Sequence, residues 1–208
     1  MEMGMTIKTP FTEDQVRKLT IGDKVYVSGE IIITGGLPTF KRMIEFKKGR
    51  KELPINLNGS ALFHFVNFNR NRNGKDEVLY LNPTTSTRFN DFMPDIIRAF
   101  RLRAVGGKGG LNTESAVAMK EVGCVYLSFL GAGCPFLSSS VREVVSVSWD
   151  DLITTYRLVK LRVEGLGPAI VSIDARGNSI YENVMAEVEK NFPRIIDNLR
   201  SRRMNKSV

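Results

Sequence analysis

The sequence predicts a single mixed α/β domain, and three observations support this prediction. Short apolar segments with the two-residue alternation of β-strands recur along the chain, and segments with helical periodicity lie between them. The order strand, glycine-rich loop, helix, strand over residues 102–129 is typical of a βαβ unit, which places two parallel strands in one sheet. The length of 208 residues suits one domain, or one domain with an appended helix.

Strands are predicted wherever apolar residues alternate with polar ones or form a short buried-type run. These segments are residues 24–28 with the extension 31–33, then 61–66, 77–81, 102–105, 124–129, 143–149, 158–163 and 169–173. The polar segment 67–75 contains Asn-Gly near its end, which predicts a hairpin loop. We expect a surface loop at residues 47–58, a loop of small residues at 131–140, and a turn at residues 174–178.

Helices are predicted from capping signals and from 3.6-residue periodicity. The predicted segments are residues 13–19 after a Thr12/Gln15 capping box, a helix through Lys41, Arg42 and Ile44 with Pro38 in its first turn, 84–100, 113–121 with Asn112 or Thr113 as its cap, and 180–200. Pro94 is expected to interrupt the third of these helices, and Gly123 to end the fourth. In the last helix Ile180, Val184 and Val188 lie on one stripe, and Pro193 is expected to bend it.

The overall composition excludes several classes of protein. Hydrophobic residues make up 42% of the chain, so a disordered protein is excluded, and no apolar run reaches the roughly 20 residues of a membrane helix. The net charge of +8 is spread over separate segments at residues 47–51, 98–103 and 200–206. This spread disfavours a nucleic-acid-binding module, which would need one basic surface, and it fits small anionic substrates or an acidic partner.

Cysteine and histidine are too few for several kinds of chemistry. Cys124 and Cys134 match neither a zinc pattern nor a disulfide scaffold, and two thiols cannot hold an iron–sulfur cluster in the usual way. His64 lies in an apolar strand segment and is expected to be structural. Catalysis would therefore use hydroxyls, lysine, arginine or carboxylates. The two thiols and the N-terminus without signal-peptide features predict a cytoplasmic location.

Two loops are candidates for binding an anion. In the segment 83–88, Thr84 and Arg88 are four residues apart at a predicted helix start, where free amides and the helix dipole attract carboxylates. The alternative is a hydroxyl-rich cap with an exposed arginine. In the segment 107–110, Lys108 stands among glycines, which allow a ligand to approach the backbone closely. This loop lacks the spacing of a phosphate-binding P-loop.

A series of motifs, in order along residues 8–181, resembles the class I fumarate hydratase/L-tartrate dehydratase β-subunit family. The motifs are KLTIGDKVYVSG at 18–29, LPINLNG at 53–59, PTTSTR at 83–88, GKGG at 107–110, VYL at 125–127, IDARGN at 173–178 and Tyr181. The resemblance implies a swivelling β/β/α domain over residues 1–181, followed by a C-terminal helix and basic tail over residues 182–208.

The resemblance also implies a function shared between two subunits. An α subunit holds a [4Fe-4S] cluster whose open iron acts as a Lewis acid on the hydroxyl of a small dicarboxylate, within a heterodimer or heterotetramer. Carried over by position, Thr84 is the base at the substrate carbon, and Arg88 and Lys108 bind carboxylates. Thr85 and Gly107 are expected beside the substrate. The implied reaction is the addition or elimination of water, and no membrane or nucleic-acid partner is implied.

The segment 35–42 departs from the family pattern. The family has Ala-Arg-Asp-x-Ala-His-Lys-Arg there, whereas Gly36, Leu37 and Phe40 replace its first arginine, its aspartate and its histidine. Asn82 replaces the glycine before Pro-Thr-Thr, and Asn67-Phe68 replaces a Gly-Pro pair. A non-catalytic assembly or regulatory paralogue of the subunit is therefore the alternative interpretation.

Overall fold

The computed structural model of the chain describes residues 4–72 and 75–204. The strands in these residues are β1 (Met5–Lys8), β2 (Lys24–Ile33), β3 (Ala61–Phe63), β4 (Phe65–Arg72), β5 (Lys75–Pro83), β6 (Ala104–Gly107), β7 (Val125–Phe129), β8 (Val141–Ser148) and β9 (Leu158–Ile173). The helices are α1 (Glu13–Lys18), α2 (Leu37–Lys48), α3 (Met93–Phe100), α4 (Thr113–Val122), α5 (Cys134–Ser139) and α6 (Ile180–Met204), with 3-10 turns at Ser86–Phe89 and Thr154–Tyr156. The prediction of a mixed α/β fold with a C-terminal helix is confirmed.

Five strands of the main sheet pair into a closed, barrel-like ring. β2, β3, β6 and β7 are parallel neighbours in that order, and β9 closes the ring by pairing antiparallel with both β7 and β2. β1 is added alongside β2, and β8 alongside β9. β4 and β5 form a separate antiparallel hairpin. The parallel β6–α4–β7 unit confirms the predicted βαβ arrangement.

The strand alternation places apolar side chains on both faces of this ring. In β2, Ile31 and Ile33 belong to one buried cluster, whereas Ile32 belongs to a second. In β7, Leu127 and Tyr126 divide in the same way. The second cluster also contains side chains of α2, α3 and α4, so these helices cover the outer face while the first cluster fills the inner face.

The predicted helix ends are confirmed where capping chemistry determines them. Thr12 and Gln15 form the reciprocal capping box of α1. Asn112 caps α4 by accepting a hydrogen bond from the Ser115 amide, and Gly123 ends that helix with a positive φ of 73°. Pro38 lies in the first turn of α2, as expected.

The loop predicted at residues 67–75 is wrong for the described part of that segment. β4 continues through Arg72 and β5 begins at Lys75, while Asn73-Gly74 lies outside the described residues. Cross-strand pairs stabilise this polar hairpin: the rings of Phe68 and Tyr80 stack with centroids 6.2 Å apart, and Arg70 pairs with Glu77 at 3.0 Å. Because much of this hairpin faces solvent, its strands lack the alternation of apolar residues from which strands are predicted.

Other boundary predictions also need correction. The helix predicted at 84–100 is a 3-10 turn followed by α3, and Pro94 lies in the first turn of α3 rather than interrupting it. Residues 131–140 contain the short α5, whose buried Leu137 joins the core. The strands predicted at 158–163 and 169–173 are one 16-residue strand, because β9 accommodates Gly165–Pro168 with irregular pairing to β2.

The predicted bounds of several further elements, among them α2 and β6, shift by a few residues. α2 extends to Lys48, so the loop expected from residue 47 begins at Gly49. β6 runs through Gly107, which places this glycine at the end of a strand. Among the described helices, including the 25-residue α6, none combines the length and apolar content needed to cross a bilayer.

Candidate active site

Three backbone segments meet at the candidate site. His64 lies between β3 and β4, Thr84 follows β5, and Lys108 follows β6. The Thr84 amide donates to the His64 carbonyl at 2.7 Å, and the Lys108 amide donates to the Thr84 carbonyl at 3.1 Å. The Ser86 amide returns a hydrogen bond to the Lys108 carbonyl at 2.8 Å. These bonds bring the two predicted anion-binding loops together.

The side chains of Thr84 and Arg88 converge, although the predicted helix start is absent and Thr84 precedes the 3-10 turn that contains Arg88. Nη2 of Arg88 donates to Oγ1 of Thr84 at 2.5 Å, and Thr84 is only 6% exposed, whereas Arg88 is exposed. A guanidinium can only donate hydrogen bonds, so the threonine oxygen is the acceptor in this contact. A cation at this distance lowers the free-energy cost of negative charge on Oγ1.

A cleft of about 330 Å³ is lined by both loops. Thr84, Arg88 and Lys108 all contribute to its surface, together with Asn82. Its described lining residues include two cations and no carboxylate. The electrostatic environment therefore favours a small anion. A larger cleft of about 590 Å³, which includes Lys47, Lys51 and Phe100, contains none of the predicted site residues.

Lys108 is half-buried and its side chain passes close to the loop after β7. A Cβ built on Gly131 would lie 3.2 Å from Cδ and 3.4 Å from Nζ of Lys108. Any side chain at position 131 would thus crowd the lysine. The glycine leaves room for the ammonium group at the edge of the cleft.

A buried hydrogen-bond network supports the floor of the site. The Tyr126 hydroxyl donates to Oγ of Ser86 at 2.8 Å, and Nδ1 of His64 lies 2.8 Å from the same oxygen. Nε2 of His64 lies 3.3 Å from Sδ of Met93. Complete burial lowers the pKa of His64 to about 3, so the imidazole is neutral at physiological pH. Burial also raises the pKa of Tyr126. The structure thus places His64 in the buried support of the site, between β3 and β4 and not within one continuous strand at 61–66 as predicted.

Thr85 and Gly107 lie next to the cleft but outside its lining. Thr85 forms a parallel β-bridge with Lys108. A Cβ on Gly107 would lie 2.2 Å from Oγ of Ser86, so the glycine lets β6 pack directly against the buried network. Their predicted contacts with substrate stay predictions.

The altered segment 35–42 forms one wall of the cleft. Gly35 and Leu37 contribute to the lining, whereas a Cβ on Gly36 would lie 2.4 Å from the ring of Tyr156. The tyrosine ring thus occupies the space in front of the position where the family resemblance implies an arginine. Arg42 forms two hydrogen bonds with Asp151, at 2.8 and 2.7 Å, which hold its guanidinium in an ion pair.

The sequence patterns did not predict several lining residues, among them Asn82, Thr155 and Tyr156. Oδ1 of Asn82 is buried without a hydrogen-bond partner in the described structure. Thr155 and Tyr156 belong to a 3-10 turn, where periodicity gives no signal. This turn is fixed by long-range contacts, since the Gly35 amide donates to the Thr155 carbonyl at 3.1 Å.

Residues that could hold a metal do not come together in the part of the chain that the structure describes. No group of three or more histidine, cysteine, aspartate or glutamate side chains has suitable placement there. Cys124 is buried, and burial raises the pKa of its thiol, while Cys134 is partly exposed at the start of α5. This donor set does not fit an iron–sulfur cluster.

A family model and individual relatives both match this chain, and they indicate the same family. The family model described as the fumarase C-terminus matches residues 2–184. A protein of Methanocaldococcus jannaschii named "Putative L(+)-tartrate dehydratase subunit beta" is 34% identical over 186 residues, covering 89% of this chain and 95% of that protein. The L(+)-tartrate dehydratase subunit beta of Escherichia coli K12 is 31% identical over 191 residues, covering 91% and 90% respectively.

A third relative is a longer protein. The "Putative fumarate hydratase class I" of Geobacillus stearothermophilus is 33% identical over 181 residues, which cover 86% of this chain but only 34% of that protein. The match to the family model extends over most of the chain and includes every residue of the candidate site. The chain is therefore a member of the fumarase C-terminus family, similar to tartrate dehydratase β subunits and to part of class I fumarate hydratase.

Proposed function

We propose that this chain is the β subunit of an iron–sulfur-dependent hydro-lyase of the fumarate hydratase or tartrate dehydratase type. The reaction would add water to, or eliminate it from, a small dicarboxylate. The observation that carries this proposal is the convergence of Thr84, Arg88 and Lys108 on one cleft in a member of this family. A swivelling domain over residues 1–181 and a separate C-terminal segment over 182–208 are part of the same proposal.

Thr84 would act as the base at the substrate carbon. In the elimination direction its oxygen, as the alkoxide, takes the proton from the carbon next to the one that loses hydroxide. In the hydration direction the same hydroxyl returns that proton. A threonine hydroxyl is a weak acid, so the alkoxide needs cationic neighbours, and Arg88 donates to its oxygen at 2.5 Å.

Arg88 and Lys108 would bind the carboxylates of the substrate. A guanidinium can bind a carboxylate through two parallel hydrogen bonds, and the ammonium of Lys108 supplies a second positive charge in the same cleft. Both cations therefore favour a dianionic substrate over a neutral one. Thr85 and Gly107 would lie beside the bound molecule.

The [4Fe-4S] cluster would belong to a partner α subunit. The described residues of this chain do not fit such a cluster, whereas the names of the relatives as β subunits support a second subunit. We propose a heterodimer or heterotetramer in the cytoplasm, in which the cleft faces the cluster-bearing subunit.

The test is an assay of the assembled enzyme. The chain is co-expressed with its α subunit, the complex is reconstituted without oxygen, and fumarate, malate and both tartrate enantiomers are assayed. Turnover of one of them by the complex, and none by this chain alone, is the expected result. A complex that assembles and carries its cluster but converts no hydroxy-dicarboxylate would contradict the enzymatic proposal.

A specific observation favours a second candidate, a non-catalytic assembly or regulatory paralogue. Gly36 lies where the family has a substrate-binding arginine, and the Tyr156 ring leaves no room for a side chain there. Thr84→Val and Lys108→Met variants distinguish the two candidates. If both variants assemble normally and only the activity of the complex is lost, the non-catalytic candidate is excluded.

A further inference from the structure

The C-terminal helix α6 extends beyond the matched family segment. The family model ends at residue 184, whereas α6 continues to Met204. The first turn of α6 is held by the rest of the chain: the Tyr181 hydroxyl donates to Oγ of Ser172 at 3.2 Å, and the Tyr181 ring covers Gly110. Almost all residues after this turn are exposed. A helix of 25 residues is about 37 Å long, so most of it lies away from the chain's own core.

This exposed part of α6 carries a continuous apolar stripe. The side chains of this stripe are 46–58% exposed. They are Met185, Val188, Phe192, Ile195 and Leu199, with successive spacings of three, four, three and four residues. This is the heptad pattern of helices that pack against another helix along their length. Pro193 directly follows a stripe position, so its ring lies outside the stripe.

The charges of α6 are divided between its two halves. Residues 180–190 contain three glutamates and one lysine, whereas residues 191–204 contain four arginines and one aspartate. In an antiparallel pair of identical helices, the acidic half of one lies beside the basic half of the other. A parallel pair would place like charges together. An anionic membrane surface would repel the acidic half.

We propose that the stripe on α6, defined by the five residues above, binds the same stripe of a second copy of this chain in antiparallel orientation. Pairing would remove these apolar side chains from water and would place the acidic half of each helix beside the basic half of the other. This self-association does not depend on the catalytic proposal, because it uses none of the cleft residues. In a complete enzyme it would join two β subunits.

The first experiment measures the oligomeric state of the full chain by sedimentation velocity at about 1–100 µM, the range of moderate affinities. We expect a dimer for the natural chain. The double variant Val188→Glu/Ile195→Glu should raise the dissociation constant at least about 100-fold, because it buries carboxylates in the seam. The control Ala186→Glu/Ser201→Glu adds the same charge outside the stripe and should leave the dimer intact. Circular dichroism verifies that all three proteins are folded.

The second experiment tests orientation by disulfide formation in a Cys134→Ser background. Positions 185 and 199 are about 21 Å apart along one helix. An antiparallel pair therefore gives a disulfide when Met185→Cys chains are mixed with Leu199→Cys chains, and none within either variant alone. Disulfides within each variant alone would show a parallel pair and overturn the proposal.

Two further outcomes would also overturn the proposal. One is a natural chain that stays monomeric throughout the concentration range. If the natural chain is monomeric and Val188→Glu/Ile195→Glu prevents co-purification with the α subunit, the stripe binds that subunit instead. The other is a dimer that the same double variant leaves unchanged.

Discussion

Nη2 of Arg88 lies 2.5 Å from Oγ1 of Thr84, four residues earlier in the chain. The 3-10 turn after β5 sets this distance, and the buried network beneath the turn holds it in place. The contact joins an exposed cation to a buried hydroxyl at the edge of the same cleft. It therefore gives the proposed base a permanent positive neighbour.

Loss of this neighbour should affect the chemical step. In the assembled enzyme, we expect Arg88→Met to lower kcat/KM by about 100-fold or more, because no guanidinium then stabilises the alkoxide or binds a carboxylate. Arg88→Lys should recover part of the loss, since it keeps the charge but not the two-pronged geometry. Steady-state kinetics of the three complexes would check this. Equal activity of Arg88→Met and the natural enzyme would exclude the proposed role.

Lys108 should contribute mainly to substrate binding. We expect Lys108→Met to raise KM for a dicarboxylate by about 10- to 100-fold, because the cleft loses the half-buried Lys108, one of the two cations among its described lining residues. Lys18→Met, which removes an exposed lysine of α1, is the control and should leave KM unchanged. The measurement is the KM of each complex at constant ionic strength. A rise of KM in both variants would indicate a general charge effect.

The buried His64 predicts a pH dependence of stability. Its pKa is lowered to about 3 in the folded chain from an ordinary value near 6.5, so the unfolded chain binds the proton more tightly. The stability from the neutral imidazole is complete above pH 6.5 and is lost as the pH falls toward 3. The folding equilibrium should weaken by about tenfold per pH unit in this range.

Urea unfolding at pH 4, 5, 6 and 7 would measure this effect in the natural chain and in His64→Gln. The variant should be less stable at pH 7. It should lose less stability on acidification, because it has no imidazole to protonate at position 64. The carboxylates contribute equally to the pH dependence of both proteins, so the difference between them reports on His64. Identical pH profiles would mean that His64 is accessible to protons in the folded state.

The close contact between Gly36 and Tyr156 predicts that a side chain at position 36 destabilises the fold and that a smaller residue at position 156 relieves this effect. Gly36→Ala places a Cβ 2.4 Å from the tyrosine ring and should cost about 1–3 kcal/mol of unfolding free energy. Tyr156→Ala should relieve this clash, so the double variant should be more stable than the sum of the single effects predicts. Denaturant unfolding of the three variants tests the coupling. Strict additivity would show that the ring moves aside freely.

The predictable part of the fold is the part that local chemistry determines. The capping box of α1 and the Asn112 and Gly123 ends of α4 depend on side chains within a few residues, and the sequence shows them directly. β4, β5 and the middle of β9 depend on pairing with distant strands. Their polar residues and glycines resemble loops when each segment is considered alone.

The same distinction applies to the candidate site. The spacing of Thr84 and Arg88 predicts their contact, and the resemblance to a family adds Lys108. Asn82 and Tyr156 could not be predicted as lining residues, because the hairpin and the 3-10 turn are placed by long-range backbone contacts. The sequence predicts an apolar stripe through Ile180, Val184 and Val188 in the last helix. Of these only Val188 belongs to the stripe on α6 defined above, and only the structure shows that the side chains of that stripe stay exposed.

The most direct test of the central claim compares Thr84→Val with Thr87→Val in the reconstituted complex. Valine keeps the shape of threonine and removes the hydroxyl, and Thr87 is an exposed hydroxyl in the same segment. The account predicts that Thr84→Val still binds substrate, loses at least about 100-fold in kcat and no longer exchanges the substrate's carbon-bound hydrogen with deuterated water, while Thr87→Val is normal. Full exchange and turnover by Thr84→Val would contradict it.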